Sequence, residues 1–239
     1  MTSTPPRPTV LLVPGGWHRP SAYQDLTDRL LSDSFPIRPL QNPSLNSSAK
    51  GLLDDIANVR AALQQLVEHE GKEVVVLLHS YGGLPGVFGV TGFGRIERQK
   101  SGKTGGVAGV VCMCTTVLPA GVSQVNAKGR DQWLYWPEGG ELFYNDIAPE
   151  AAQAQIDKLQ PQGFLSFDED PPPYSLGEIP VTYLMCSQDN ALLPAVQERV
   201  VKLLGQNCTV ERCDAGHSPF VNKLDLIIEL VKSVANKKA

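Results

Sequence analysis

The stretch "VVVLLHSYGG", Val74–Gly83, decides how the rest of the chain is read. Its apolar first half is short and β-branched, as in a strand buried on both faces. It breaks on His79, Ser80 and Tyr81 and ends in Gly82 and Gly83. A buried strand that stops on a serine among small residues suggests a nucleophile held at a sharp strand-to-helix turn, usually announced by G-x-S-x-G. Here Leu78 occupies the first glycine position. The positions after the serine, where helix and neighbouring strand approach most closely, are both glycine. Position 78 still belongs to the strand, where a larger side chain fits if the next strand recedes.

The same alternation of β-branched runs and longer amphipathic ones extends through the chain, and it predicts βαβ units on a mostly parallel sheet. Strands are expected at Thr9–Val13, Phe35–Leu40, Glu73–Leu78, Val107–Cys114, Pro180–Cys186 and Cys208–Cys213. Ile56, Val59, Leu63, Leu66 and Val67 recur at helical spacing within Asp54–Glu70, and Gly71 stops that helix. Further helices are expected at Ala195–Leu204, between Pro194 and Gly205, and at Leu224–Val234. Thr91–Gly106 reads as a helix end followed by an exposed loop. From Val122 to Gly177 no strand is evident, one helical pattern runs over Pro149–Leu159, and half of the chain's aromatics gather there. That is too long for a simple connection. Residues 1–121 and 178–239 therefore read as the core, and 122–177 as a cap over a pocket beside the C-terminal ends of the strands.

With 239 residues the chain can bury a sizeable core as one domain with an insertion. A formal charge of −4 without basic runs argues against a nucleic-acid partner. No apolar stretch reaches membrane-spanning length, and the Pro- and Thr-rich Met1–Thr9 lacks the apolar segment of a signal peptide. The five cysteines, Cys112, Cys114, Cys186, Cys208 and Cys213, form no C-x-x-C and lack histidines at metal spacing. They read as reduced core thiols of a cytoplasmic protein, with no zinc.

Three residues follow three predicted strands in the order Ser80, Asp189, His217. In a parallel sheet those strand ends share one edge, so the three converge. A serine hydroxyl needs a neighbouring base to become a nucleophile. Histidine suits that task, and a carboxylate fixes its tautomer. Asp214 lies near His217 but reads as a turn former, and Asp168, Glu169 and Asp170 read as solvated. "LLVPGGW", Leu11–Trp17, leaves the first strand in a glycine turn; the N–H of Gly16 with that of Tyr81 supplies two donors for an oxyanion. The sequence argues against a phosphate loop, because neither G-x-G-x-x-G nor a Lys-Ser/Thr ending is present.

On these segments the chain resembles the α/β-hydrolase fold superfamily. The likeness is strongest to the small branch of plant methylesterases and hydroxynitrile lyases and to similar microbial proteins. It rests on "LLVPGGWHRPSAY", "LLHSYGG", "ELFYND", "PVTYLMCSQDNALLP" and "DAGHSPF". The resemblance implies Ser80 as nucleophile, His217 as base, Asp189 as acid, and Gly16 and Tyr81 as oxyanion donors. It departs from the family in Pro14-Gly15 for the usual His-Gly, in Leu78, and in missing N-terminal hairpin strands, which leaves about six strands. Trp17, His18, Trp133, Trp136 and Phe143 are expected to bind substrate, with His18 lining the pocket or fixing its loop.

The reading favoured is hydrolysis of an ester, thioester or lactone of a small, fairly apolar molecule, by a monomer or homodimer without cofactor or metal. A lyase, dehydratase or cyclase using the same residues for proton transfer, and a ligand receptor with a vestigial triad, stay open. No lysine to pair with a cyanide leaving group is evident beside Asp189 or His217.

Overall fold

The computed structural model describes residues 6–125 and 142–237. Six strands form one sheet: β1 Thr9–Val13, β2 Ile37–Pro39, β3 Glu73–His79, β4 Gly106–Met113, β5 Val181–Cys186 and β6 Cys208–Cys213. All pairings are parallel, in the order β2-β1-β3-β4-β5-β6. The chain goes from β1 to the β2 edge and returns to β3 on the other side of β1. Crevices form at such a reversal of strand order, outside the carboxyl ends of the strands.

β1, β4 and β5 are buried along their whole length, as their unbroken apolar sequences require. Alternate residues feed opposite faces. Leu11 and Val13 belong to the core on the face that also takes Val59 and Leu63 of α2 (Leu52–Leu63) and, towards β5 and β6, Val200 of α7 (Pro194–Leu204). Val10 and Leu12 pack with Leu26 and Leu30 of α1 (Gln24–Ser32) and with Ile227 and Val231 of α9 (Leu224–Asn236). The edges are blunted: β2 is three residues long and ends in Pro39, and β6 alternates exposed with half-buried residues and carries Glu211 and Arg212.

The helix expected to Glu70 keeps α-helical bonding to Leu63, then widens into a π-helical turn over Gln64–His69. Gly71 follows with φ 64°, so glycine ends the helix as the sequence indicates. Thr91–Gly106 is not all loop. It contains α4 (Arg95–Lys100), whose Arg95 donates to Glu73 at 2.9 Å and to the Lys237 carbonyl at 2.7 Å. Arg98 reaches the Thr104 carbonyl at 3.1 Å. Both side chains are buried. The charged "RIERQK" looks solvated in sequence because the partners that let it pack lie elsewhere in the chain.

Leu78 is accommodated, but not by a receding strand. At Leu78 the register is continuous on both sides, opposite Val13 and opposite Cys112, and the one shift against β4 lies back at Val74/Val75. The room comes from α3 (Gly83–Gly89): a Cβ on Gly86 would collide with the Leu78 side chain. The glycine that the motif places two residues before the serine has in effect moved six residues after it. Gly82 meets the complementary demand, since a Cβ there would lie 2.6 Å from the Pro14 carbonyl oxygen.

Between β4 and β5 the described part of the insertion carries α5 (Pro149–Ile156) and α6 (Leu165–Asp168), with no strand beyond a bridge of Gln162 to Leu45. Glu169 is not merely solvated: it accepts the Leu53 N–H at 2.9 Å, at the N-terminus of α2, where a carboxylate is favoured. α8 (Pro219–Asn222) precedes α9. No described helix is long and apolar enough to cross a membrane.

Candidate active site

Ser80 follows β3 directly and sits at φ 49°, a left-handed conformation that costs a non-glycine residue of order 1 kcal/mol or more. A 3-10 turn, Ser80–Gly82, then opens α3, so the strand reverses into a helix at the serine. The Thr116 N–H holds the Ser80 carbonyl at 3.0 Å. The Ser80 Oγ lies 2.7 Å from His217 Nε2, and His217 Nδ1 lies 2.8 Å from Asp189 Oδ2. Beside a carboxylate Nδ1 carries the proton, which leaves the Nε2 lone pair facing the serine O–H. Asp189 is buried, and its Oδ1 accepts the N–H groups of Ala191 at 2.8 Å and Leu192 at 2.7 Å. The acid and base loops are joined directly, Gln188 N–H to the Ala215 carbonyl at 3.0 Å.

Two further histidines lie beneath this line, and their tautomers follow from their partners. A carbonyl only accepts, so His79 Nε2–H donates to the His217 carbonyl at 2.8 Å and His79 Nδ1 accepts the Tyr23 hydroxyl at 2.7 Å. Tyr23 in turn accepts the Gly15 N–H at 2.9 Å. The base loop and the turn after β1 are thus tied through the residue that precedes Ser80. The Cys114 thiol, pushed up to about 11 by burial, adds a second donor to the His217 carbonyl at 3.1 Å.

His18 donates from Nδ1 to the Gly16 carbonyl at 2.6 Å and accepts the Tyr144 hydroxyl on Nε2 at 2.8 Å. It is buried and absent from the pocket wall, so of its two expected places it takes the one that fixes the loop. Burial lowers its pKa to about 4, and burial together with the neighbouring His217 and His18 holds His79 well below the usual range. An unfolded imidazole titrates near 6.5, so between about pH 6.5 and 4 the unfolded chain binds more protons and stability falls as pH falls. His18 alone is expected to remove about 3 kcal/mol between neutral pH and pH 4. Urea midpoints from pH 7.5 down to 4.5 measure this. A wild-type profile as flat as that of His18→Gln would contradict it.

Gly16 stands beside Tyr81, where a Cβ on the glycine would lie 3.5 Å from the Tyr81 Cβ. In the turn around Gly16, Gly15 donates to Tyr23, Trp17 to Gln162 at 3.2 Å and His18 to the Gly15 carbonyl at 3.3 Å. The Tyr81 ring turns away and donates its hydroxyl at 2.6 Å to Asp55, a buried carboxylate that Ser44 also meets with its N–H and hydroxyl. Gln162 Nε2 donates to the Ser44 hydroxyl at 2.5 Å while its Oε1 accepts from Trp17. One chain of polar contacts therefore runs from Tyr81 to the neighbour of Gly16. Nothing local in the sequence marks Asp55, Ser44 or Gln162 for this.

Above Ser80 is a cavity of about 220 Å³ among the described residues. Trp17 and Phe143, both expected in the wall, line it, as do Phe167 and Leu192. Trp17 stacks on Phe167 at 5.3 Å and packs on Phe143 at 5.6 Å. Trp133 and Trp136 lie outside the described residues. Thr116, Gln124 and Asn190, which the sequence did not single out, add neutral polar groups. Among the described residues that line it there is no Lys, Arg, Asp or Glu. Cys114, Asp189 and His217 bring ligand atoms within 4.8 Å of one another, the one such group among the described residues. Their atoms are engaged with each other and with backbone, and a protonated thiol is a poor ligand. Asp214 is exposed and paired with Lys223 at 2.7 Å, as a turn residue would be.

The model of the Alpha/beta hydrolase family matches residues 10–229. The chain is 27% identical to Alpha/beta hydrolase nvfD of Aspergillus novofumigatus, over 97% of this chain and 98% of that one. It is 25% identical to Probable hydrolase R7 of Phoma sp., over 89% and 92%. Among solved structures, polyneuridine aldehyde esterase superposes with a TM-score of 0.74 at 14% identity, over 96% of this chain and all of that one. That last likeness is one of fold. The chain belongs to the alpha/beta hydrolase family.

Proposed function

We propose that this member of the alpha/beta hydrolase family is a serine hydrolase for an uncharged ester, thioester or lactone of a small, fairly apolar molecule. The observation that carries the reading is the continuous line from Ser80 through His217 to Asp189, with the serine opening into the cavity. Ser80 Oγ attacks the carbonyl carbon as its proton passes to His217 Nε2, and Asp189 steadies the imidazolium. The carbonyl oxygen, now negative, is held by the N–H groups of Gly16 and Tyr81. Collapse expels the alcohol or thiol, which takes the proton from His217. Water, activated by the same nitrogen, then releases the acid from Ser80.

The neutral wall that the described residues form supports the substrate class. A charged group placed there would lose its hydration without gaining a counter-charge. The cavity is also smaller than the ~300–1,000 Å³ typical of drug-sized ligands, so it suits one small acyl or alcohol group. Residues 122–177 act as the cap, contributing Phe143 and Phe167 to the wall. A panel of p-nitrophenyl esters tests this. Acetate and butyrate are expected to exceed the hemisuccinate, which carries a free carboxylate, by at least about tenfold in kcat/KM. Equal or better turnover of the charged ester would contradict the proposed class.

A further inference from the structure

Four consecutive residues of the insertion, Phe143 to Asp146, between them touch three parts of the site. Phe143 places its ring 5.5 Å from that of His217. Tyr144 donates its hydroxyl to His18, which holds the Gly16 carbonyl. Asn145 donates to the carbonyl of Gln188, the residue before Asp189, at 2.9 Å. Asp146 Oδ2 accepts the N–H of Gly216, the residue before His217, at 2.6 Å, and Asn222 of α8 at 2.8 Å.

The geometry points to this segment as a clamp that sets the three loops of the site together: Tyr144 is a positioning residue for the oxyanion turn, Asn145 for the acid and Asp146 for the base. The inference rests on the hydrolase reading for its kinetic consequence, but not for its contacts. Each loop leaves a different strand end, and loops are otherwise the freest part of such a fold. One stretch of four residues removes that freedom at three places. A second observation comes from the facing side. A Cβ on Gly216 would lie 2.6 Å from both Asn145 Oδ1 and Asp146 Oδ1, so the clamp seats only because residue 216 has no side chain. The bonds also converge on residues adjacent to Asp189 and His217, whereas an insertion held merely to the surface would have no reason to choose them.

The test uses p-nitrophenyl acetate and amide exchange read by mass spectrometry. Asp146→Ala is expected to lower kcat by about 10- to 10²-fold, with KM within about threefold, because a displacement near 1 Å is enough for such a loss. Asp146→Asn, which keeps an oxygen for the Gly216 N–H, is expected to stay within about threefold of wild type. Exchange over residues 214–218 should quicken in Asp146→Ala and not in Asp146→Asn. Should Asp146→Ala fail to fold, Tyr144→Phe, which removes one hydroxyl, takes its place, with a kcat loss of about fivefold or more. A kcat for Asp146→Ala within twofold of wild type overturns the clamp, as does an Asp146→Asn loss equal to that of Asp146→Ala. Wild-type protein that turns over no ester fails the hydrolase reading instead. Exchange then decides alone, and unchanged exchange in Asp146→Ala overturns the clamp.

Discussion

Ser80→Ala is expected to lower kcat for p-nitrophenyl acetate by at least about 10⁴-fold while KM changes by no more than a few-fold. The change deletes one oxygen and leaves the surrounding backbone bond, Thr116 N–H to the Ser80 carbonyl, in place. The pocket wall and both proposed oxyanion donors also stay, so the substrate still binds. What disappears is the atom that forms the bond to the acyl carbon. Any turnover left comes from water attacking a bound ester, which the oxyanion donors assist only in part. Retention of most activity in Ser80→Ala, with loss in His217→Ala, would mean proton transfer without acylation. The reaction would then be that of a lyase or cyclase.

Asp189→Asn should cost about 10⁴-fold in kcat, again with little change in KM. The reason lies in which oxygen is already committed. Oδ1 accepts two backbone N–H groups, from Ala191 and Leu192, so the amide of an asparagine must keep its oxygen there. Its NH₂ then faces His217 Nδ1 in place of Oδ2. Donation to Nδ1 forces the ring proton onto Nε2, where it points at Ser80 and cannot accept. The fold loses little, because the loop's backbone bonds survive. Asp214→Asn is the control: its carboxylate is exposed and paired with Lys223, and the change should leave kcat within about twofold. A tenfold or smaller loss in Asp189→Asn would remove Asp189 from the account.

The centre of the sheet was readable because β1, β4 and β5 are buried over their whole length and almost wholly apolar, and burial on both faces leaves no other use for such runs. The convergence of Ser80, Asp189 and His217 was readable for a related reason: parallel strands place their C-terminal ends on one edge, so order along the chain becomes proximity in space. What escaped reading depends on partners far apart in sequence. Arg95 and Arg98 look solvated until Glu73 and the Thr104 carbonyl are seen beside them. Leu78 looks like a defect in its motif until Gly86 is seen opposite. His18 reads equally as wall or support, and only the Gly16 carbonyl and Tyr144 on its two nitrogens decide. The contacts of Asn145 and Asp146 have no local signal at all, since a polar pair far apart in sequence imposes no period on either segment.

The account turns on whether Ser80 carries an acyl group during turnover. Wild-type protein mixed with p-nitrophenyl acetate, quenched in acid within the first turnovers and digested, answers this by peptide mass. One acetyl group on the peptide and residue containing Ser80, absent from Ser80→Ala and lost on longer incubation before the quench, is the result predicted. Steady ester turnover with Ser80 unmodified at every quench time would contradict it.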